Sequence, residues 1–87
     1  MYRFVMATRP RKKATAKTEP TAAEIFGKNL RAARLSAGMT QAQVAYASGL
    51  SLNRMALIER GKSNARLSSA RALARAVGVP LSGLVGD

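Results

Sequence analysis

The chain contains no cysteine and no histidine, and these two absences narrow the chemistry open to it. Without thiols and imidazoles it cannot form disulfides, build the usual zinc sites or activate a nucleophile with a histidine base. The acidic residues are only four, Glu19, Glu24, Glu59 and Asp87. No two of them are placed for paired acid–base work. The sequence therefore predicts a protein that is not an enzyme and that holds neither a metal nor a cofactor.

Long apolar runs are also missing. No segment approaches the roughly 20 apolar residues that a membrane-spanning helix needs. The opening MYRFVMA is too short for the apolar core of a signal peptide, and its basic run follows rather than precedes it. We therefore expect a cytoplasmic protein without membrane contact, and the lack of cysteine agrees with a reducing compartment.

Positive charge dominates what is present. Lysine and arginine number 15 against 4 acids, so the 87 residues carry a formal charge of +11. Such an excess attracts polyanions and makes their binding salt-dependent. The charge alone does not indicate whether the binding partner is DNA, RNA or anionic lipid. The length allows one small domain with a modest core.

The first 20 residues differ in composition from the rest. Their basic side chains include Arg9, Arg11, Lys12 and Lys13. The segment has too little apolar mass to bury, which predicts a flexible basic arm over residues 1–20. It is either a solubilising tail or an arm that follows phosphates or enters a minor groove. The alternation around Tyr2, Phe4 and Met6 leaves open a short strand that pairs with its copy in a dimer.

Residues 21–87 carry the start and stop signals of five helices. Thr21 with Glu24 and Thr40 with Gln43 form capping boxes, and Ser51 is a third N-cap. Apolar residues recur at helical spacing behind each start, and Pro80 suits the first turn of the last helix. The predicted stops are Gly38, Gly49, Gly61 and Gly78. The pattern predicts an all-α fold.

The stretch QAQVAYASGLSLNRMALIER, residues 41–60, joins two of these helices by a very short turn. One helix ends at Gly49 and the next begins with Ser51. Small or apolar residues stand where two crossing helices must touch, at Ala45, Leu50, Met55 and Ile58. This spacing predicts a helix-turn-helix, which in a strongly basic chain indicates DNA binding.

Residues 21–84 resemble the Cro/CI-type (XRE-like) helix-turn-helix domains of phage repressors and related bacterial regulators. The matching pieces are LRAARLSAGMTQAQVA, ASGLS, IERGKSN and ALARAVGVPLSGL, in the same order and spacing. The resemblance implies a compact five-helix, lambda-repressor-like fold. In it, the helix from about Thr40 lies across the phosphate backbone, and the helix from about Ser51 enters the major groove.

Four side chains of the Ser51 helix are not required by the core and are the predicted base readers: Leu52, Asn53, Arg54 and Leu57. Asn53 can bind adenine with two hydrogen bonds, and Arg54 can bind guanine in the same way or hold a phosphate instead. The two leucines depart from the polar residues common in the family. They either pack on thymine methyl groups or form an apolar patch for a protein partner.

Phosphate contacts are predicted at two places. Thr40 and Gln41 stand at a helix N-terminus, where backbone N–H groups and the helix dipole favour an anion. The alternative for Gln41 is a plain capping-region residue. The polar loop after the third helix supplies Lys62, Ser63, Asn64 and Arg66. Because Arg66 replaces a common Ser or Thr cap, we expect Asn64 to cap the fourth helix.

The resemblance also implies an internal salt bridge between Arg34 and Glu59 and a dimer formed through the C-terminal helices. The dimer contact would contain Val79, Leu81, Leu84 and Val85. These four residues can equally close the domain's own core.

The favoured function is a sequence-specific transcriptional regulator of double-stranded DNA, a homodimeric repressor that reads a two-fold operator through the Ser51 helix. One alternative is a protein-interaction module on the same fold, antitoxin-like or anti-activator. Another is a nonspecific nucleic-acid binder driven by charge, although the chain has few aromatics for stacking on single strands.

Overall fold

The computed structural model describes residues 19–86, which form five α-helices and no strand. The helices are α1 (Ala22–Ser36), α2 (Gln41–Ser48), α3 (Leu52–Glu59), α4 (Leu67–Val77) and α5 (Ser82–Val85). The predicted all-α, five-helix fold is thereby confirmed. Within the same residues, every helix is too short or too polar to cross a membrane.

The arm predicted over residues 1–20 falls almost wholly outside the described residues. This applies to the basic residues Arg9, Arg11, Lys12 and Lys13 and to the alternating segment from Tyr2 to Met6. Their proposed contacts with DNA or with a second chain stay predictions.

The helix starts follow from local hydrogen bonds. Thr21 Oγ1 accepts from the Glu24 amide at 3.1 Å, and Glu24 Oε1 accepts from the Thr21 amide at 2.8 Å. Thr40 and Gln43 form the same reciprocal pair at 3.0 and 2.8 Å. Each pair satisfies two amides that a helix N-terminus would otherwise leave without a partner. Both predicted capping boxes are confirmed.

The helix stops also lie where the glycines predict them. The four glycines with positive φ are Gly38, Gly49, Gly61 and Gly78. Each follows the end of α1, α2, α3 or α4, where a residue with a Cβ atom would be strained. The connections are therefore short, and the helices must pack closely on one another.

Helix α4 starts without the predicted cap. Its N-cap residue is Arg66, and no side chain accepts from the free amides of the first turn. The prediction that Asn64 caps α4 is wrong because Asn64 stands two residues before the N-cap position. The helix is held instead by a strongly amphipathic face that buries Ala70, Leu73, Ala74 and Val77.

The core draws on every helix. Its fully buried large side chains are Leu30, Val44, Met55, Ile58, Leu73 and Leu84. Helix α1 packs against α3 and α5, while α2 packs against α3 and α4. The two helices of the predicted helix-turn-helix thus share one core with the three helices around them, and they cannot shift independently.

Two contacts that hold this packing were not foreseen. Gly27 in α1 lies against the end of α3, and a Cβ atom added there would stand 2.6 Å from the Glu59 carbonyl oxygen and closer still to that of Ile58. Asn29 Nδ2, also in α1, donates to the carbonyl oxygens of Leu84 at 3.1 Å and Gly86 at 2.6 Å. The first contact sets the separation of α1 and α3. The second fastens the short α5, whose four residues cannot stabilise a helix alone.

Candidate nucleic-acid interface

The turn between α2 and α3 is fixed by backbone geometry and by the core beneath it. Gly49 has a left-handed conformation with φ of 77°, which lets the Leu50 amide donate back to the Ala45 carbonyl at 2.9 Å. Ser51 then takes an extended conformation, and its Oγ accepts from the Arg54 amide at 3.1 Å. Ala45, Met55 and Ile58 are buried where the two helices meet. The helix-turn-helix is therefore rigid.

A polar network joins the first turn of α2 to the last turn of α3. Arg34 Nε donates to Glu59 Oε2 at 2.6 Å, and Arg34 Nη2 donates to Oε1 at 3.1 Å. Arg34 Nη1 also donates to the Met39 carbonyl at 3.0 Å, and Gln41 Nε2 donates to Glu59 Oε1 at 3.0 Å. The side chain of Glu59 is only 3% exposed, so its charge needs these donors. The network fixes α2 relative to α3.

The side-chain amide of Gln41 is thus turned inward, toward Glu59, where the sequence predicted a phosphate contact. An amide nitrogen carries two hydrogens, and only one is used here. The second hydrogen and the backbone amides of the first turn remain able to donate to an anion. Thr40 is exposed, and its Oγ1 accepts from the Gln43 amide. Phosphate binding by these residues stays a prediction.

The first turn of α3 presents two side chains to solvent. Leu52 is 52% exposed, and its neighbour Asn53 is exposed as well. Arg54 is half-buried because its guanidinium folds back along the protein, and its Nη2 donates to the Asn64 carbonyl at 3.2 Å. The structure therefore separates the predicted readers into an outward pair, Leu52 with Asn53, and an arginine directed at the following loop.

Leu57 is half-buried, so it is less open than Leu52 to the contacts predicted for the two leucines. Leu57 stands near the end of α3, where the following loop folds back and the Lys62 amide donates to the Leu57 carbonyl. It offers only part of its surface to a ligand.

The predicted phosphate loop follows α3 directly. The Lys62 amide donates to the Leu57 carbonyl at 2.9 Å, which anchors the loop to the helix. Lys62, Asn64 and Arg66 are exposed, and Ser63 is half-buried. Since Arg54 donates to the Asn64 carbonyl, its positive charge lies against the loop that also carries Lys62 and Arg66. Such a group of positive charges attracts phosphates.

The residues predicted at a subunit contact divide into two groups. Leu84 is fully buried and belongs to the core, so the prediction that it contacts a second subunit is wrong. It points inward because Asn29 holds the carbonyls of α5 against α1. Val79 and Leu81 are half-buried and pack against the core, whereas Val85 is 56% exposed. Val85 and Leu81 line an open apolar groove with Phe26 and Leu67.

Within residues 19–86, no three acidic, cysteine or histidine side chains come together as a metal site would require. The acids of this part of the chain stand apart, with Glu24 in a capping box and Glu59 in the ion pair. The chemistry this surface offers is hydrogen bonding, positive charge and apolar contact.

Comparison with known proteins agrees with this geometry. The helix-turn-helix domain family matches residues 25–84 of the chain. The immunity repressor protein of Bacillus phage phi105 is 38% identical over 61 residues, which is 70% of this chain and 42% of the repressor. The chain therefore spans less than half the length of that relative.

Solved structures share the arrangement of the helices. The restriction-modification controller protein C.AhdI from Aeromonas hydrophila has a TM-score of 0.69 at 32% identity, over 71% of this chain and 94% of that one. The clp gene regulator ClgR from C. glutamicum has a TM-score of 0.73 at 27% identity, over 76% of this chain and 86% of that one. The residues that match the family include both helices of the turn and the Arg34–Glu59 pair, and the match ends within α5. This chain belongs to the helix-turn-helix domain family, in its Cro/CI-like group of DNA-binding regulators.

Proposed function

We propose that this protein is a sequence-specific transcriptional regulator, a homodimeric repressor that reads duplex DNA through the first turn of α3. The observation that carries the proposal is the outward pair of Leu52 and Asn53, held on a rigid helix beside an exposed basic loop. Similarity to proteins described as a repressor, a controller and a gene regulator supports it.

Asn53 is the side chain best equipped to choose a base. Its side-chain amide is exposed, so Nδ2 can donate to N7 of adenine while Oδ1 accepts from N6. A good bidentate pair is worth about 1–3 kcal/mol of discrimination against the wrong base. Leu52 and the exposed part of Leu57 add apolar contacts with thymine methyl groups.

Residues around α3 would anchor the protein to the phosphate backbone. They are Thr40 and Gln41 at the start of α2, and Lys62, Ser63, Asn64 and Arg66 in the loop. The basic residues of the arm, Arg9, Arg11, Lys12 and Lys13, would add contacts of the same kind. Each neutralised phosphate steepens the fall of affinity with salt by about 0.9 in the logarithmic slope.

Arg54 belongs with the phosphate contacts. Its Nη2 donates to the Asn64 carbonyl, so the guanidinium lies between α3 and the loop instead of projecting with Asn53. An arginine has four other N–H donors in its planar fork, and these can reach a phosphate from that position. Of the two roles that the sequence allows for Arg54, its contact favours this one.

Selection of duplexes from a random pool tests both assignments. We expect the wild-type chain to enrich a palindromic consensus. Asn53→Ala should lose one A·T preference from each half-site, because its two hydrogen bonds are gone. Arg54→Ala should keep the consensus and weaken all duplexes alike, as should the matched control Lys62→Ala.

The opposite results are equally clear. A consensus that changes at one base pair with Arg54→Ala makes Arg54 a base reader. A consensus unchanged in Asn53→Ala removes Asn53 from that role. Failure of the wild-type chain to enrich any sequence contradicts sequence-specific regulation and favours the charge-driven binder.

A stable protein partner that covers Leu52 would favour the antitoxin-like or anti-activator alternative. The exposed Leu52 and the 90% exposed Tyr46 provide apolar surface for such a partner.

Dimerisation is proposed through the apolar surface at α5. Val85 is exposed there, and Leu81 and Leu67 extend the apolar surface along the groove. A two-fold dimer buries the same patch on both subunits, and its recognition helices would meet half-sites about 34 Å apart.

Replacing Val85 by aspartate is expected to shift the protein from dimer to monomer, because the partner would have to bury an unpaired charge. Sedimentation equilibrium measures the effect, and circular dichroism checks that the helices persist. Ala42→Asp, an exposed substitution on α2, is the matched control and should leave the dimer intact. A dimer of unchanged stability in Val85→Asp would place the subunit contact elsewhere.

A further inference from the structure

We infer that this protein recognises the C5-methyl group of pyrimidines in the major groove, and that it therefore accepts 5-methylcytosine as well as thymine opposite Leu52. The inference rests on the proposed function, since it assumes that the first turn of α3 faces base edges. It concerns a class of DNA, duplexes that carry methylated cytosine.

The first turn of α3 has few hydrogen bonds to offer. Ser51 Oγ accepts from the Arg54 amide and keeps one hydroxyl hydrogen to donate, while the Arg54 guanidinium is directed at the Asn64 carbonyl. Asn53 remains as the exposed amide. Beside it stands Leu52, with half of its surface exposed and no polar atom in its side chain. Of the outward pair, Leu52 can therefore recognise only apolar groups.

The position of Leu52 is held by the rest of the fold. Met55 and Ile58 occupy the core positions of α3 and are fully buried, whereas Leu52 does not belong to the core cluster. Its backbone follows the Ser51 cap directly, so the direction of its Cα–Cβ bond is set while the first turn remains helical. The far end of α3 is fixed by Glu59 and by the close approach of Gly27. Leu52 is thus presented on a rigid support.

The chemistry of the groove then decides what Leu52 can recognise. The C5-methyl group of thymine is the apolar group among the base edges of the major groove. Cytosine methylated at C5 carries the same group on the same ring carbon. Thymine and 5-methylcytosine differ at the exocyclic oxygen or amine, which a leucine can neither donate to nor accept from. Leu52 therefore selects for the methyl group, and the choice between base pairs rests with Asn53.

The expected effect follows from the area that one methyl group removes from water. Burial of a single carbon of this kind favours binding by about fourfold. The effect does not depend on net charge, so it should persist when salt weakens the phosphate contacts. Because the methyl effect is insensitive to salt, it can be distinguished from phosphate anchoring by Lys62 or Arg66.

The experiment uses the full chain and the duplex that the selection yields. Deoxyuridine replaces each thymine singly, which removes only a methyl group. At the position where this weakens binding, a C·G pair and a 5-methyl-C·G pair are then compared. We expect deoxyuridine to cost about fourfold, and 5-methylcytosine to bind about fourfold more tightly than cytosine. Both differences should disappear in Leu52→Ala and persist in Asn53→Ala.

Several results would overturn the inference. One is tight binding to the selected duplex with equal affinity for thymine and deoxyuridine at every position, which leaves the proposed regulator standing but removes its methyl recognition. Another is a methyl effect of the same size in Leu52→Ala, which assigns that recognition to another residue. A chain that binds every duplex alike overturns this inference and the proposed function together. Loss of binding to a protein partner in Leu52→Ala, without any methyl effect on DNA, assigns Leu52 to that partner.

Discussion

Replacing Gly27 by alanine is expected to lower the free energy of unfolding by about 3 kcal/mol, at the upper end of what overpacking usually costs. The added methyl group would stand 2.6 Å from the Glu59 carbonyl oxygen and nearer to that of Ile58. These are backbone atoms at the end of α3, so no side chain can turn away to make room. To relieve the clash, α1 must move from α3, and the core contacts of Leu30 and Ile58 would loosen.

Urea denaturation followed by circular dichroism measures this effect. Gly83→Ala is the matched control, because Gly83 lies in α5 and an added Cβ would meet only Val79, at 3.9 Å or more. The control should change stability by about 1 kcal/mol at most, the difference in helix propensity between glycine and alanine. Equal stability of Gly27→Ala and the wild type would show that the two helices have room to separate.

Replacing Glu59 by alanine is expected to cost about 3–5 kcal/mol, the usual penalty for removing one partner of a buried ion pair. The Arg34 side chain is only 11% exposed and would keep its charge while losing two of its hydrogen bonds. Gln41 Nε2 would lose its acceptor as well. Because the network joins α2 to α3, the affinity for DNA should fall even at temperatures where the variant remains folded.

Thermal and urea unfolding measure the loss of stability. The exposed Glu19→Ala serves as the control and should stay within about 0.5 kcal/mol of the wild type. A double substitution separates pairing from general damage. If the pair is the cause, Arg34→Ala with Glu59→Ala should cost clearly less than the sum of the single changes, because no unpaired charge is left buried. Additive costs would argue that each residue acts through separate contacts.

Much of the fold could be predicted because its signals are local. The capping boxes at Thr21 and Thr40 and the stop at Gly49 act within four residues of chain, and their geometry is set by the residue types themselves. The apolar spacing of each helix follows from its period. The same signals located the helix-turn-helix, and similarity to a known family supplied the expectation of an Arg34–Glu59 pair.

The predictions that failed depended on where a helix begins and on which surface covers an apolar residue. The sequence placed Leu84 either at a subunit contact or in the core, and Asn29, 55 residues away, holds α5 so that Leu84 fills the core. Leu57 was predicted to offer the same apolar contacts as Leu52, but it lies half-buried near the loop that follows α3. Asn64 was expected to cap α4, but that helix begins three residues later, at Leu67. The spacing of apolar residues predicts that a side chain is covered, but not whether its own domain or another molecule covers it.

By itself, the amino-acid sequence determined where the first three helices begin and where four of the five end. It also determined that two of them form a helix-turn-helix and that the whole carries a large positive charge. These properties depend on caps, glycines, period and composition, all of which act over short range or as sums. Only the tertiary structure decided which side chains remain for DNA. Arg54 is drawn to the Asn64 carbonyl and Gln41 to Glu59, while Leu52 and Asn53 stay outside. A hydrogen bond between residues distant in sequence depends on how the helices pack, and that packing exists only once the core of all five has formed.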